Sequence, residues 1–166
     1  RDALTKFVYS TKSYDGLVAE TDRRFSARKD YKNLADYAHN RWYNFWSARA
    51  VEQIFKASDR VKPALNKYDR LVDFSLGGIN FDHKTSVFPR RFGRSLDCAV
   101  ENPGALIGWL YRNQSQQQRK HLRNRLFIVL HARDGQHWKL KAEIGWLRRI
   151  IQDCLRDFDS NRLFLF

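Results

Sequence analysis

The sequence predicts an α/β protein in which helices flank a mixed β-sheet. Two observations predict this class. The spacing of apolar residues changes along the chain from helical to alternating and back, and the predicted elements follow in the order helix, hairpin, helix, strand, helix. The length of 166 residues suits one domain over residues 1–166. Residues 1–33 are polar and basic, and we expect a basic N-terminal arm or subregion there, loosely packed or built of short irregular elements.

The first helix is predicted from Leu34 to about Ala57. At about 100° per residue, one face of this segment carries mostly apolar side chains. These are Leu34, Ala38, Phe45, Ala48 and Phe55. Pro63 ends any helix nearby, because proline has no N–H to donate to the helical ladder.

A hairpin is predicted within residues 69–87, where apolar and polar side chains alternate on both sides of Gly77-Gly78. A Gly-Gly pair between two alternating runs is typical of a two-residue hairpin turn. With this turn, one face of the hairpin is uniformly apolar. The opposite face carries Asp73, Ser75, Asn80, Asp82 and Lys84.

Three further elements follow the hairpin. Asn102-Pro103 predicts the start of a second helix, with Asn as the cap and Pro in the first turn. Leu126–Leu130 is a continuous apolar run, as expected of a strand that is buried on both faces. A third helix is predicted from the apolar positions between Leu140 and Phe158, which include Cys154, and Leu163–Phe166 is a last strand or an end of the chain.

The charge of the chain points to an acidic partner. Lys and Arg number 31 against 18 Asp and Glu, and the formal net charge is +13. Arginine predominates, and its planar guanidinium group matches phosphate oxygens in pairs. This composition favours a nucleic acid, with an inert basic surface as the alternative. No apolar run spans a bilayer and no signal-peptide pattern opens the sequence, so we expect a cytoplasmic protein without a membrane partner.

Two carboxylates lie at corresponding positions of the predicted hairpin. Asp73 faces Asp82 across the ladder, and Lys84 lies two residues further on the same face. Like charges in this arrangement repel each other, whereas a divalent cation between them turns repulsion into coordination. The alternative is a solvated hairpin face on which charges happen to alternate.

Glu52 is a third candidate carboxylate. It lies eighteen residues after Leu34 and therefore returns to the same azimuth of the helix, in the middle of the apolar stripe. A carboxylate that faces a core needs a partner. We consider two partners: Arg41, which lies near the same azimuth, or a metal ion shared with Asp73 and Asp82.

These residues together resemble the PD-(D/E)XK nuclease superfamily, whose fold is restriction-endonuclease-like. The matching residues are Glu52 on the helix, Val72-Asp73, and Asp82-His83-Lys84 within Phe81–Ser86. Val72 stands where the superfamily's name has proline. The superfamily's αβββαβ core order fits residues 34–132. Only residues 67–71 are available for its first strand, unless that strand is very short or merges with the hairpin.

The resemblance implies an Mg²⁺-dependent endonuclease that hydrolyses DNA phosphodiester bonds, with Mn²⁺ as a substitute metal. Asp73 and Asp82 would hold the metal together with the backbone carbonyl of His83, and Glu52 would bind it through water or hold a second ion. Lys84 would orient or deprotonate the attacking water, or neutralise charge on the phosphate. Alternation turns the imidazole of His83 towards the apolar face, so we assign it no role.

Two basic groups are candidates for DNA binding. Arg90, Arg91 and Arg94 follow the hairpin and are expected beside the metal, although a solvated loop explains them equally well. The second group surrounds the end of the second helix, where an ordinary polar helix end is the simpler explanation. It comprises Arg112, Arg119, Lys120, Arg123 and Arg125. The alternative function is a non-catalytic nucleic-acid-binding protein with the same fold, as a subunit of a restriction or mobile-element complex. A homodimer or a larger nuclease complex is compatible with either function.

Overall fold

The computed structural model describes residues 1–64, 72–113 and 124–164. The chain forms two compact units, Arg1–Ala50 and Val51–Phe166. The expectation of one domain over residues 1–166 stays a prediction.

The N-terminal unit is helical. A 3₁₀ turn at Lys6–Tyr9 precedes α1 (Tyr14–Phe25), and α2 (Tyr31–Lys56) begins in this unit. The Ser13 hydroxyl oxygen accepts a hydrogen bond from the amide of Gly16 at 3.2 Å and caps α1. The buried side chains of the unit form one cluster: Phe7, Val8, Leu17, Phe25, Leu34 and Ala38.

The expectation of a loosely packed arm over residues 1–33 is therefore wrong. Leu17, Thr21 and Phe25 are the buried side chains of α1, and charged residues fill most of the positions between them. Because so few positions of α1 are apolar, its periodic signal in the sequence is weak. Contacts with the beginning of α2 stabilise the helix instead.

A four-stranded mixed sheet forms the centre of the second unit, as the sequence predicts. Its strands are β1 (Val61–Pro63), β2 (Phe74–Leu76), β3 (Ile79–Val87) and β4 (Arg125–Leu130), and they lie side by side in that order. β2 is antiparallel to both β1 and β3, whereas β4 runs parallel to β3. The first strand lies upstream of the expected 67–71 segment, which is outside the described residues.

The predicted Gly77-Gly78 turn is confirmed. Both glycines have positive φ angles, +58° and +80°, which the two central residues of a type I′ turn require. The turn fixes the register of the hairpin, in which Phe74 pairs with Phe81 and Leu76 with Ile79. The alternation of side chains between the two faces of the hairpin follows directly from this register.

Helices and 3₁₀ turns surround the sheet. The helices are α3 (Leu96–Glu101), α4 (Pro103–Asn113) and α5 (Ile144–Arg156), and the 3₁₀ turns are Arg90–Phe92, His137–Ala142 and Ser160–Arg162. Asn102 caps α4 as predicted, because its Oδ1 accepts a hydrogen bond from the Ala105 amide at 3.3 Å. The buried positions of α5 are Leu147, Ile151 and Leu155, whereas Cys154 is exposed. Leu163 and Phe164 are not in a strand, and residues 165–166 lie outside the described chain.

Apolar side chains cover both faces of the sheet. On one face, residues of β2, β3 and β4 pack against the end of α2 and against α5, in a core that contains Phe55, Phe74 and Leu147. On the other face, Phe127 and Val129 of β4 pack against Leu106 and Leu110 of α4. Apolar side chains therefore cover β4 on both sides, as predicted, but only Leu130 of this strand is fully buried.

Candidate metal and phosphodiester site

Asp73 lies one residue beyond the paired part of the hairpin. The ladder ends at the Phe74–Phe81 pair, and the Asp73 amide donates a hydrogen bond to the carbonyl oxygen of Phe81 at 2.9 Å. The expectation that Asp73 faces Asp82 directly across the ladder is therefore wrong. The backbone bends at Asp73, and its carboxylate is turned to the backbone amide of His83.

The Asp73 carboxylate is held by hydrogen bonds from His83. Its Oδ2 accepts from the backbone N–H of His83 at 2.8 Å and lies 3.5 Å from the imidazole Nδ1. Burial raises the pKa of this carboxyl, but the hydrogen bonds from His83 and the positive charge of Lys56 outweigh burial. The net pKa of Asp73 is therefore below its usual value, and the carboxylate form is favoured.

The Asp82 carboxylate lies near the beginning of β3 and faces a cation on the neighbouring strand. Arg125 is its partner in the parallel register, and the guanidinium Nε is 3.3 Å from Asp82 Oδ2. Burial and the negative charge of Asp73 raise the pKa of Asp82, whereas Arg125 and Lys84 lower it. The first two effects prevail, so the net pKa of Asp82 is above its usual value.

The structure therefore brings Asp73 and Asp82 close enough for their charges to repel each other. About a third of each side chain is exposed, at 32% for Asp73 and 30% for Asp82. Their pKa values are displaced in opposite directions, as is usual for two carboxylates that share a site. Asp82 is therefore the first of the two to take up a proton when the pH falls.

Lys84 belongs to the same face of β3 as Asp82. Two residues separate them along the strand, so their side chains point to the same side of the sheet. The positive charge of Lys84 acts on Asp82 and partly offsets the effects that raise the pKa of Asp82. The expected grouping of Lys84 with Asp82 on one face is confirmed.

His83 points to the opposite face, as predicted. Its side chain is only 6% exposed, and its ring lies near those of Phe55 and Phe74, with centroids at 5.7 and 6.4 Å. The imidazole thus packs among apolar rings, while its Nδ1 lies beside the Asp73 carboxylate. A role for the backbone carbonyl of His83 as a metal ligand stays a prediction.

Glu52 is not at the centre of a buried stripe. The buried positions in this part of α2 are Val51, Ile54 and Phe55, and Glu52 lies at their border, half-buried. The expectation from the helical azimuth is wrong here, because Leu34 and the end of α2 belong to the cores of different units. A stripe measured from Leu34 does not locate the buried face near Glu52.

The partner of Glu52 is Lys56, one helical turn further along α2. The Arg41 alternative is wrong: Arg41 donates hydrogen bonds to the carbonyl oxygen of Asp2 at 2.7 Å and to the Thr5 hydroxyl at 2.8 Å. Lys56 also lowers the pKa of Asp73. One lysine therefore lies within electrostatic range of both Glu52 and Asp73.

The donor chemistry of the aspartate pair fits a hard divalent cation. Within residues 1–64, 72–113 and 124–164, no group of three or more His, Cys, Asp and Glu side chains is arranged to hold a metal ion. Glu52 is therefore not shown beside the aspartates, and its place in a metal site stays a prediction. Mg²⁺ is commonly held by one or two carboxylates and several waters, which Asp73 and Asp82 can provide.

Arg125 is a residue of this site that the sequence did not reveal. Residue spacing places it only in the second basic group, near the end of the second helix. The position of a charge immediately before the apolar run of β4 was the available signal. Only the register of β4 against β3 shows that this charge lies opposite Asp82.

The first basic group predicted to bind DNA does not adjoin the carboxylates in the way we expected. Arg90, Arg91 and Arg94, here called the β3–α3 arginines, are exposed and follow the far end of β3. At about 3.3 Å per residue, that end lies roughly 17 Å from Asp82. The expectation that they lie beside the metal is wrong. DNA contact by these arginines stays a prediction.

The second basic group lies mostly outside the described chain. Arg112 is exposed in the last turn of α4. Arg119, Lys120 and Arg123 fall in residues 114–123, of which the structure gives no description.

Comparisons with models of protein families, with curated proteins and with solved structures gave no match to this chain. Among the helices described, none combines the length and the apolar character needed to cross a membrane.

Proposed function

We propose that this chain is an Mg²⁺-dependent endonuclease that hydrolyses DNA phosphodiester bonds and belongs to the PD-(D/E)XK superfamily. The observation that carries the proposal is the pair of half-buried, mutually repelling carboxylates of Asp73 and Asp82, with Lys84 on the Asp82 face. Clustered carboxylates with displaced pKa values are unfavourable for folding and are frequent at catalytic sites. Asp73 lies immediately before β2 and Asp82 lies on β3, which is consistent with the positions that the resemblance implies.

The order of elements supports the same proposal. Counting α3 and α4 as one helical segment, the chain runs from α2 through β1, β2 and β3 to that segment and then β4. This is the order αβββαβ, and β1 is very short, with three residues. The net charge of +13 supports a polyanionic substrate.

Each side chain has a chemical role in this proposal. Asp73 and Asp82, with the backbone carbonyl of His83, hold the metal. When bound, Mg²⁺ supplies Lewis acidity towards the phosphate and lowers the pKa of nearby water. Lys84 orients or deprotonates the water, or neutralises charge on the phosphate. A new bond forms between the water oxygen and phosphorus, the bond to the leaving sugar oxygen breaks, and the proton lost by water ends on that oxygen or in solvent.

A second function is favoured by a different observation. Asp82 pairs with Arg125 and Glu52 with Lys56, so two of the three candidate carboxylates have cationic partners within the chain. This arrangement suits a nucleic-acid-binding protein that uses the fold without catalysis. Such a protein has no need of Lys84 beside Asp82, and the lysine therefore distinguishes the two functions.

The test is cleavage of supercoiled plasmid by the wild type and by Lys84→Ala, in Mg²⁺, Mn²⁺ or EDTA. DNA binding is measured on the same preparations by gel shift. Lys29→Ala is the control, because it removes one exposed lysine in the segment between α1 and α2.

An endonuclease cleaves in Mg²⁺ or Mn²⁺ and not in EDTA. Lys84→Ala then loses cleavage and keeps most of its affinity, since affinity comes from many phosphate contacts. Lys29→Ala cleaves like the wild type. DNA binding without cleavage in any metal would instead support the non-catalytic function.

A further inference from the structure

Arg125 is an unusual arginine because it is almost completely buried. Its side chain is only 10% exposed, and its Nε is buried without a hydrogen-bond partner in the described parts of the chain. The Nε lies 3.3 Å from Asp82 Oδ2, so charge attraction compensates the group without a well-aligned hydrogen bond. A buried guanidinium with an unsatisfied donor is costly.

The position of Arg125 is fixed by the backbone and by Tyr111. Its amide donates a hydrogen bond to the Tyr111 hydroxyl oxygen at 2.9 Å, and its guanidinium carbon is 5.7 Å from the centre of the Tyr111 ring. The β3–β4 register places it opposite Asp82. Arg125 is therefore held in place before any ligand arrives, which lowers the entropic cost of binding one.

Asp82 is the single anionic partner of Arg125 in the described chain. If a divalent cation takes over the carboxylates, the attraction between Asp82 and the guanidinium is weakened. A buried cation must then find another anion. A phosphodiester group is the natural replacement, because guanidinium donors match its two non-bridging oxygens.

We propose that Arg125 is a phosphate-binding residue of the carboxylate site, which exchanges Asp82 for a substrate phosphate when a divalent cation binds. This inference rests on the proposed function and adds a substrate contact to it. It explains why an arginine with an unsatisfied donor stands at the start of an otherwise apolar strand. The side chain serves as a counter-ion without substrate and as a phosphate ligand with it.

The experiment compares the wild type with Arg125→Gln, Arg125→Lys and Arg149→Gln. Arg149→Gln is the control for loss of one positive charge, because Arg149 is exposed on α5. Mn²⁺ affinity is measured by calorimetry without DNA. Affinity for a short duplex is measured by fluorescence anisotropy in Ca²⁺, a metal that often supports binding without cleavage, and again in EDTA.

The exchange of partners predicts effects of opposite sign. Arg125→Gln binds Mn²⁺ about tenfold more tightly, because a repelling charge is removed. It binds the duplex about tenfold more weakly than Arg149→Gln in Ca²⁺. In EDTA the Arg125 guanidinium stays paired with Asp82 and makes no contact with DNA. Its loss in Arg125→Gln then costs no affinity beyond the loss of one charge, and the two variants bind DNA alike. Arg125→Lys keeps the charge without the planar fork, so its Mn²⁺ affinity stays near that of the wild type and its DNA affinity in Ca²⁺ is intermediate.

Two results would overturn the inference. One is an unchanged or weaker Mn²⁺ affinity in Arg125→Gln, and the other is a loss of DNA affinity that is equal in Ca²⁺ and EDTA. If the wild type cleaves DNA and Arg125→Gln behaves like Arg149→Gln, this inference fails and the proposed function stands. If the wild type binds no Mn²⁺, both fail. If Arg125→Gln does not fold, Arg125→Lys decides, because a purely structural cation leaves its DNA affinity equal to that of the wild type.

Discussion

Neutralising each aspartate of the pair should change the stability of the metal-free protein in opposite directions. Asp82→Asn should stabilise it, because the raised pKa means that the folded protein disfavours the charged form. Asp73→Asn should destabilise it, because the lowered pKa means that the folded protein favours the carboxylate. Both substitutions preserve the shape of the side chain and remove one negative charge, so each is a control for the other.

The size of the effect follows from the contacts of each carboxylate. Two carboxylates about 6 Å apart, a usual distance between neighbouring side chains on adjacent strands, repel each other by about 0.7 kcal/mol when their charges are screened as in water. Removing the charge of Asp82 also recovers its burial cost but loses the attraction of Arg125, which is the smaller effect because the net pKa of Asp82 is raised although Arg125 lowers it. We expect a net gain of about 0.5–1 kcal/mol for Asp82→Asn. The loss for Asp73→Asn is about 1 kcal/mol, because the bond from the His83 amide is no longer charge-assisted.

The assay is urea unfolding in EDTA, followed by tryptophan fluorescence, at pH 7 and at several lower values. The penalty from Asp82 is fully present above its folded pKa and disappears below 3.8, the ordinary value that applies to the unfolded chain. The advantage of Asp82→Asn therefore declines on acidification. The contribution of Asp73 is present above 3.8 and is lost only as the pH falls through its lower, folded pKa. Equal destabilisation by both variants at pH 7 would refute the reasoning, since it would mean that Asp82 is held by its partners as firmly as Asp73.

Three further outcomes are expected. Millimolar Mn²⁺ should raise the melting temperature of the wild type much more than that of Asp82→Asn at constant ionic strength. A Mn²⁺ concentration of about 100 times Kd stabilises the folded protein by about 2.7 kcal/mol. Equal shifts would argue against an aspartate metal site. DNA affinity should fall steeply with salt, by about 0.9 log units per log unit of salt concentration for each phosphate contact. Changing the β3–α3 arginines to Glu should flatten that slope in an anisotropy titration. An unchanged slope would exclude these arginines from the interface. Gly77→Ala should lower the free energy of unfolding in urea more than Gly78→Ala. Both substitutions place alanine at a positive φ, but only at Gly77 would the new Cβ lie 3.0 Å from the Phe158 ring. Equal losses of stability would leave the strained turn as the sole cause.

The elements that the sequence predicts well are those with local signals. Gly77-Gly78 between alternating runs identifies the hairpin, and Asn102-Pro103 identifies the start of α4. In both cases the signal is a backbone requirement of a few residues, which neighbouring elements do not alter. The face assignments of Lys84 and His83 follow from the same hairpin and are confirmed.

The errors arise where distant parts of the chain decide. Glu52 lies in a helix whose two ends belong to different cores, so periodicity from Leu34 misplaces it. The bend at Asp73 depends on hydrogen bonds with Phe81 and His83 just beyond the regular ladder. The Arg125–Asp82 pair depends on strand register across a crossover, which residue spacing does not contain.

That crossover has a consequence for folding. The hairpin joins residues only a few positions apart, whereas the β3–β4 ladder joins Asp82 to a residue roughly 40 positions later, and long loops close slowly. The aspartate pair can therefore assemble early, and Arg125 arrives only when the parallel ladder forms. During refolding, a species with a formed hairpin should precede the arrival of Arg125, and its two carboxylates would be more exposed to stray divalent cations than those of the finished protein.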